Sequence, residues 1–250
     1  MSSLLNLAAA PWRAVNRVRR ALYRAGVLRP KRLPKPVISI GNLAAGGAGK
    51  TPAVIAIAEH LVARGKSVAV LTRGYKVLDE PLLIKKRVPK ANVIVGSNRY
   101  ANALSANCDV YLLDDGFQHL QLARDLDIVI DVADAQVYRE GRSALRDADF
   151  VIPRRIRSDA EKLRGKRVVA FAGIANNEQF FESLRAAGAD VVETRGFPDH
   201  HRYRPGDLPQ GEILVTTEKD AVKLDRGDIV TVRIDFIVPD EVLAAIDAIV

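Results

Sequence analysis

An apolar strand, a glycine-rich turn and the start of a helix follow one another within residues 37–52. A turn of this kind aims several backbone N–H groups into one hollow at the positive end of the helix, which binds phosphate. In such a loop Lys50 reaches the β- and γ-phosphates and the Thr51 hydroxyl holds Mg²⁺. The residues assigned to nucleotide binding are Gly46, Gly47, Ala48, Gly49, Lys50, Thr51 and Pro52.

The loop predicts ATP or GTP as a ligand but leaves hydrolysis, kinase transfer and ligase chemistry open. It departs from the usual phosphate-loop pattern at one position, where Ala44 stands in place of a glycine. The alternative interpretation is a glycine-rich turn that binds no ligand.

The chain has 250 residues, of which 48% are hydrophobic, so it can bury one large core or two small ones. Cys108 is the only cysteine, which excludes an intrachain disulfide and predicts a reducing, cytoplasmic setting. No apolar run approaches the roughly 20 residues that a membrane-spanning helix needs. The four histidines and one cysteine show no zinc-ligand spacing.

The basic excess lies at the N-terminus. Nine of the 38 Lys and Arg residues fall within residues 1–35, which contain no Asp or Glu, so the other 29 nearly balance the 30 acidic residues. Trp12, Val15, Val18 and Leu22 recur there at helical spacing, with arginines between them. This pattern favours an amphipathic helix on an anionic membrane surface. A helix packed on the protein, an organelle transit peptide and a nucleic-acid-binding arm are the alternatives.

The rest of the chain alternates predicted strands and helices, which indicates an α/β fold with a mainly parallel sheet and helices on both faces. The first unit is predicted to be a P-loop NTPase-like domain over residues 36–165, ending in a basic linker or exposed helix. A smaller α/β domain is predicted over 166–250, including a final helix at 240–249. A weaker helix is expected near 136–146. Ligands of such sheets bind at the carboxyl ends of the strands.

Two acids and a glycine follow the predicted strand that ends near Leu113. A P-loop enzyme needs a carboxylate at such a strand end to hold Mg²⁺ directly or through water, which makes Asp114 and Asp115 candidates. The alternative is that they cap a turn or a helix.

Further acids, Asp79 and Glu80, come shortly after the predicted second strand. A kinase needs a base within hydrogen-bond reach of the acceptor hydroxyl, and Asp79 is a candidate. Spacing alone favours an exposed acidic turn. His200, beside Asp199 in a later loop, can orient a base or sense phosphate charge, although such a stretch taken alone is more often a structural loop. In the stretch 216–224, Glu218 and Lys219 fit a base-reading contact and a helix cap equally well.

Taken together, these motifs resemble the tetraacyldisaccharide 4′-kinase family of lipid A assembly. The resemblance runs from about Trp12 to Leu224 and covers nine segments in order. The segments are 20–23, 38–43 with 46–52, 73–75, 79–83, 95–96 with 99, 114–119 with 122–127, 171–176, 197–200 and 216–224.

The resemblance implies transfer of the ATP γ-phosphate to the 4′-hydroxyl of a tetraacylated glucosamine disaccharide 1-phosphate, giving lipid IVA. It implies an anionic glycolipid as partner, no nucleic acid, and a peripheral location on the cytoplasmic face of a Gram-negative inner membrane; the oligomeric state stays open. It makes Asp79 the base with His200 as its partner across the domain cleft, and places Glu80, Asp114 and Asp115 around metal and phosphate. The contacts that it implies to phosphate or acceptor are Arg73, Arg99 and Gln118.

Two segments are shorter than the family usually has. Only Lys76-Val77-Leu78 separate Tyr75 from Asp79, and Val132–Arg142 replaces a longer glycine- and proline-rich segment, where Arg142 is the candidate basic contact to the acceptor. Two other functions stay possible from the sequence. One is a P-loop ATPase switch of the partitioning or metal-insertion type, which usually carries a lysine where this chain has Ala45. The other is a non-catalytic, basic-armed binding module.

Overall fold

The computed structural model describes residues 10–44, 47–74, 78–132, 138–204 and 206–250. The chain forms two compact units. Unit 1 comprises Met1–Gly74, Arg87–Arg155 and Phe236–Val250, and unit 2 comprises Tyr75–Lys86 and Ile156–Asp235. The α/β class predicted from the sequence is confirmed.

Unit 1 is built on a six-stranded parallel sheet in the order β3-β2-β4-β1-β5-β6. Its strands are β1 (Val37–Asn42), β2 (Val68–Thr72), β3 (Asn92–Val95), β4 (Val110–Asp114), β5 (Leu126–Asp131) and β6 (Phe150–Pro153). Its helices are α1 (Ala10–Arg24), α2 (Lys50–Ala63), α4 (Arg99–Ala103), a 3₁₀ helix (Arg142–Asp147) and α7 (Asp240–Ile249).

The central strands β1, β2 and β4 are buried along their whole length, as expected for parallel strands covered on both faces. Leu71, Tyr111 and Leu113 pack with Ala103 of α4 in one hydrophobic cluster. Because the β strands run parallel, their carboxyl ends meet along one edge of the sheet. Asn42, Thr72 and Asp114 are the last residues of β1, β2 and β4 and therefore share that edge.

Gly41 allows β1 to lie close to the loop after β4. A Cβ at this position would come 2.5 Å from Phe117 Cβ and 2.8 Å from the Phe117 backbone nitrogen, which cannot rotate away. We expect Gly41→Ala to lower the free energy of unfolding by about 1–3 kcal/mol. Urea unfolding measures this, with Gly227→Ala as the control because a Cβ there meets nothing within 4 Å. Equal midpoints for the two variants would contradict the close approach.

Unit 2 contains a four-stranded parallel sheet in the order β11-β10-β8-β9, and β7 pairs with β12. The strands are β7 (Ile156–Ser158), β8 (Arg167–Ala172), β9 (Asp190–Gly196), β10 (Leu214–Thr217), β11 (Val230–Val232) and β12 (Ile234–Phe236, in unit 2 as far as Asp235). The helices are α3 (Asp79–Arg87, in unit 2 as far as Lys86), a 3₁₀ helix (Ala160–Leu163), α5 (Asn177–Ala186) and α6 (Glu218–Ala221). Its core joins Ala170 and Val215 of the sheet to Phe181 and Leu184 of α5.

Two sequence predictions need correction. The final helix, assigned to the second domain, belongs to unit 1. Its Val242 and Ile246 are buried, its Asp247 pairs with His60 of α2 at 2.8 Å, and such long-range contacts leave no local signal. The helix expected near 136–146 is a 3₁₀ helix over Arg142–Asp147, and residues 133–137 lie outside the described residues.

Candidate functional site

The glycine-rich turn of unit 1 leads from the end of β1 into α2, as predicted. Gly47 and Gly49 have φ angles of 46° and 78°, in the left-handed region that glycine adopts without strain. Gly49 is the N-cap of α2 and supplies no side-chain hydrogen bond to the first turn. The N–H groups of that turn are therefore not used by a capping side chain, as a phosphate site requires. Gly46 lies outside the described residues, whereas Gly47 to Pro52 are described.

Lys50, the first residue of α2, turns toward the carboxyl edge of the sheet. Its Nζ donates to Asn42 Oδ1 at 3.1 Å and lies 3.6 Å from Asp115 Oδ1. Thr51 follows in the same helical turn and is half-buried. The ammonium group is thus held beside the turn by two polar neighbours.

The two acids after β4 have different surroundings. Asp114 is 3% exposed, and its Oδ2 accepts a hydrogen bond from Thr72 Oγ1 of the adjacent strand at 3.2 Å. Asp115 has a φ angle of 50°, which is uncommon for a residue with a side chain and is often found at functional sites. The backbone N–H of Gly116 then donates to Ile40 O at 3.0 Å, which ties this turn to β1.

Arg139 is a site residue that the sequence analysis missed. Its guanidinium group donates to both carboxylate oxygens of Asp115 at 2.8 Å, to Asn42 Oδ1 at 2.6 Å and to Ala44 O at 3.1 Å. Burial alone would raise the pKa of Asp115, but the hydrogen bonds from Arg139 and the charge of Lys50 bring that pKa well below its usual range. Asp115 is therefore a carboxylate over the whole physiological range of pH.

For that segment the sequence predicts Arg142 as the basic contact to the acceptor, but Arg142 pairs with Asp131 and not with Asp115. Arg142 has a side chain that is 60% exposed and pairs with Asp131 at 2.8 Å. The sequence signal for Arg139 was weak because 24 residues separate it from Asp115, and only the return of the chain past the end of β1 brings the two together.

The other predicted contacts, Arg73, Arg99 and Gln118, also lie at or near this edge. Arg99 is 5% exposed and donates to the backbone oxygen of Asp115 at 3.4 Å. Burial lowers the pKa of Arg99, and Asp114 and Asp115 partly offset this effect. Gln118 Nε2 donates to Asn42 O at 2.8 Å, and its Oε1 is buried without a hydrogen-bond partner. Arg73 is exposed, and its positive charge lowers the pKa of Arg99 further.

The arginine charges near this edge also affect the pKa of a neighbouring histidine, His119. Burial, with the charges of Arg99, Arg19, Arg124 and Arg73, lowers the pKa of His119 to about 4. His119 is thus neutral at physiological pH, and the edge is suited to a polyanion. Among the described residues, no group of three or more His, Cys, Asp or Glu is placed to hold a metal ion.

Unit 2 carries a second polar cluster around Asp79. Asp79 begins α3 and is 0% exposed, so the exposed acidic turn favoured by spacing alone is wrong. Its Oδ1 and Oδ2 lie 3.0 and 2.9 Å from His200 Nδ1, and its Oδ1 also accepts from the Glu80 N–H at 3.0 Å. His200 has a φ angle of 60°, and its N–H donates to Gly173 O at 3.1 Å.

The expectation that Asp79 and His200 pair across a domain cleft is corrected, because both residues belong to unit 2. The described residues 78–86 follow β2 of unit 1 along the chain but belong to the second unit. The two residues are 121 positions apart in sequence. Neither hydrophobic periodicity nor motif spacing can predict a contact over that separation.

Lys219 is the second site residue that the sequence analysis did not assign. Its Nζ lies 3.2 Å from Asp199 Oδ1, 3.4 Å from His200 Nε2, and 3.8 Å from both Asp79 and Glu80. Lys219 lies in α6, and the N-cap of that helix is Thr217, whose side chain accepts a hydrogen bond from the Asp220 N–H. Lys219 therefore supplies the positive charge that offsets three carboxylates around His200.

Comparison with known proteins gives one consistent family. The sequence matches the family LpxK, described as tetraacyldisaccharide-1-P 4′-kinase, over residues 1–159 and again over 142–250. A tetraacyldisaccharide 4′-kinase of Anaeromyxobacter dehalogenans (strain 2CP-1 / ATCC BAA-258) is 38% identical, with 88% of this chain and 80% of the relative covered. That alignment runs over 307 residues, more than the length of this chain, so the relative carries insertions where this chain is shorter.

Other relatives agree. The tetraacyldisaccharide 4′-kinase of Geobacter metallireducens is 36% identical over 89% of this chain and 88% of its own length. The structure resembles the crystal structure of "apo" form LpxK from Aquifex aeolicus in complex with ATP, with a TM-score of 0.83 and 29% identity. That likeness covers 99% of both chains.

Proposed function

The chain belongs to the tetraacyldisaccharide 4′-kinase family, and from this we propose that it transfers the γ-phosphate of ATP to the 4′-hydroxyl of a tetraacylated glucosamine disaccharide 1-phosphate. The product is lipid IVA. The observation that carries the proposal is the presence, in a member of this family, of both a phosphate loop with Lys50 and a buried Asp79 carboxylate paired with His200. A nucleotide-binding module without phosphotransfer has no use for the second of these.

In this proposal the edge of unit 1 handles the triphosphate. The N–H groups of the Gly47–Thr51 turn and the Lys50 ammonium donate hydrogen bonds to phosphate oxygens. Arg99 and Arg73 neutralise further negative charge on the phosphate or the acceptor. Gln118, with a buried and unpartnered Oε1, has an acceptor atom left for a hydroxyl or amide of the substrate. Phosphoryl transfer depends mostly on such positioning and charge stabilisation.

The oxygen donors of unit 1 fit Mg²⁺. Mg²⁺ commonly takes one or two protein ligands and fills its other positions with water and phosphate oxygens. Thr51 and Asp114 supply a hydroxyl and a buried carboxylate of the kind that P-loop enzymes use, while Asp115 is already engaged by Arg139. When bound, the ion would neutralise charge on the β- and γ-phosphates.

Asp79 is proposed to be the general base. As the O4′–Pγ bond forms and the bond from Pγ to the β-γ bridging oxygen breaks, the proton of the 4′-hydroxyl passes to the Asp79 carboxylate. His200 holds that carboxylate through Nδ1 at 2.9–3.0 Å. Lys219 Nζ lies 3.8 Å from Asp79 Oδ2 and 3.4 Å from His200 Nε2, so it contacts both members of the pair.

Incubation of the protein with γ-labelled ATP, the disaccharide lipid, Mg²⁺ and detergent tests the function. Labelled lipid is the expected result. Release of inorganic phosphate without labelled lipid would instead favour an ATPase switch, and neither product would favour a non-catalytic binding module. Omitting the lipid provides the background rate of ATP hydrolysis.

The N-terminal helix supports a location at a lipid surface. Val15, Val18 and Leu22 of α1 are 55%, 60% and 38% exposed, and arginines lie between them. Among the helices that the structure describes, none combines the length and the apolar character needed to cross a bilayer. We propose that α1 lies on the cytoplasmic face of the inner membrane, where an anionic glycolipid acceptor is found.

A vesicle-binding measurement checks this location. Val18→Asp removes apolar area from the exposed face of α1 and adds a repelling charge, so the affinity for anionic phospholipid vesicles should fall about tenfold. Val192→Asp is the matched control, since Val192 is a 45% exposed residue on a strand of unit 2. Equal vesicle binding by the two variants would exclude the exposed face of α1 as the contact.

A further inference from the structure

Helix α1 also has an inward face, which is buried in unit 1. Asn16 and Arg20, about one turn apart on the helix, are each 4% exposed. The guanidinium group of Arg20 donates to Glu140 Oε2 through Nε at 3.1 Å and Nη2 at 2.6 Å, and to Asp147 Oδ2 through Nη1 at 3.0 Å. Arg20 is therefore committed to internal contacts and is not part of the solvent-facing basic surface.

Arg20 reaches the loop after β4 as well. Its Nη2 donates to Phe117 O at 3.1 Å, and the guanidinium carbon lies 4.3 Å from the centre of the Phe117 ring. Arg19 donates to the neighbouring Gln118 O at 3.4 Å. One helical turn thus holds the loop that begins with Asp115, two residues before Phe117.

The acid that pairs with Arg20 directly follows Arg139. The Arg139 N–H donates to Leu43 O at 2.7 Å, and Asn16 Nδ2 donates to Arg139 O at 3.4 Å. The Arg139 side chain in turn grips Asp115 and Asn42, and these are the two residues that lie beside Lys50 Nζ. Two short paths therefore run from Arg20 to the phosphate loop, one through Glu140 and Arg139 and the other through Phe117.

A buried ion pair of this geometry is costly to desolvate, so its net contribution to stability is often no larger than that of a packed apolar pair. Removal of one partner leaves the other charge buried and unpaired, so the segment that carries it must shift. Here the segment that would shift carries Arg139. A shift of Arg139 would release Asp115 and Asn42 and change the surroundings of Lys50.

We propose that Arg20 is a positioning residue for nucleotide binding, because it fixes Glu140 and Phe117 and thereby holds Arg139 and Asp115 in place around Lys50. This role rests on the proposed function only in taking the Lys50 loop as the nucleotide site. It assigns a task to the Arg20–Tyr23 segment, which the sequence analysis recognised only as a family resemblance. It also gives α1 two faces, one for lipid and one for the nucleotide site.

Titration of the full chain with a fluorescent ATP analogue, without lipid acceptor, tests the proposal. We expect Arg20→Gln to weaken nucleotide binding about tenfold, and Arg20→Lys, which keeps the charge but not the planar fork, to weaken it less. Arg17→Gln is the matched control, because it removes the same charge from an exposed position one turn away on α1. Its affinity should stay within about twofold of the original chain.

A purely structural role predicts a different result. If Arg20 only keeps the protein folded, the number of binding sites per chain falls while their dissociation constant is unchanged. That outcome, or equal affinities for Arg20→Gln and Arg17→Gln, would overturn the proposal. Should Arg20→Gln fail to fold, as judged by circular dichroism, an unchanged dissociation constant in Arg20→Lys would overturn it equally.

A double-mutant cycle tests the route. If Arg20 acts through Arg139, then Arg20→Gln should weaken nucleotide binding far less in an Arg139→Gln background than in the original chain. Additive effects would show that Arg20 acts without Arg139 and would reject the mechanism. None of these titrations uses the acceptor, so a failure of lipid phosphorylation leaves them valid, whereas a chain that binds no ATP at all would overturn both proposals.

Discussion

Lys50→Ala should nearly abolish phosphotransfer, with kcat falling about 10²–10³-fold and ATP affinity falling as well. The ammonium group lies at the start of α2, where the N–H groups of the first turn have no capping side chain, and we propose that it stabilises the charge on the transferred phosphoryl group. Steady-state kinetics with labelled ATP measure kcat, and nucleotide titration without acceptor measures affinity.

The variant should fold normally. Lys50 makes one hydrogen bond to Asn42 and a 3.6 Å contact to Asp115, and a partly exposed pair of this kind contributes at most about 1 kcal/mol. Asp115 keeps its two hydrogen bonds from Arg139. Lys90→Ala, an exposed lysine of unit 1, is the matched control. Turnover in Lys50→Ala equal to that control would reject the phosphate-loop assignment.

Local order along the chain allowed most of unit 1 to be predicted. The strand, turn and helix of residues 37–63 are continuous in sequence, and the buried strand before Asp114 has an unambiguous apolar run. Phosphate-binding turns and strand-end carboxylates are therefore recognisable without coordinates. The prediction for Lys50 and the family assignment both depended on such continuous segments.

Contacts between distant segments could not be predicted in the same way. Arg139 meets Asp115, Arg20 meets Glu140 120 residues away, and Asp79 meets His200 121 residues away. In each case the fold brings together two segments that are far apart in sequence, and the local residue pattern of neither segment indicates the contact. The error on Asp79 shows the consequence: Leu78 and Glu80 on either side of it are exposed and half-buried, whereas Asp79 itself is buried and pairs with His200 from a distant loop of unit 2.

The two shortened segments bear on the acceptor rather than on ATP. Residues 75–77 and 133–137 lie outside the described residues, and both adjoin the proposed site residues Arg73, Asp79 and Arg139. The Lys50–Asn42 and Arg139–Asp115 hydrogen bonds of the proposed nucleotide site are formed despite the shortening. Differences from longer relatives should therefore be sought in the KM for the lipid and in the acyl chains accepted, with the KM for ATP as the reference.

Asp79→Asn should lower kcat by about 10²–10⁴-fold while ATP affinity stays within about twofold. The amide has the shape of the carboxylate and can donate to a ring nitrogen of His200, so the buried site keeps its packing, but it cannot accept the proton of the 4′-hydroxyl. We expect ATP affinity to be kept because Asp79 lies in unit 2, whereas the proposed nucleotide contacts lie in unit 1.

The pair of measurements separates a base from a structural residue. Asp225→Asn, an exposed position of unit 2, controls for the loss of one negative charge in that unit. A structural defect would reduce turnover and the number of nucleotide-binding sites together, whereas loss of the base reduces turnover alone. Turnover in Asp79→Asn equal to that of the control would reject Asp79 as the base. His200→Ala should then have a smaller effect than Asp79→Asn, because it removes the group that holds the carboxylate and leaves the carboxylate itself.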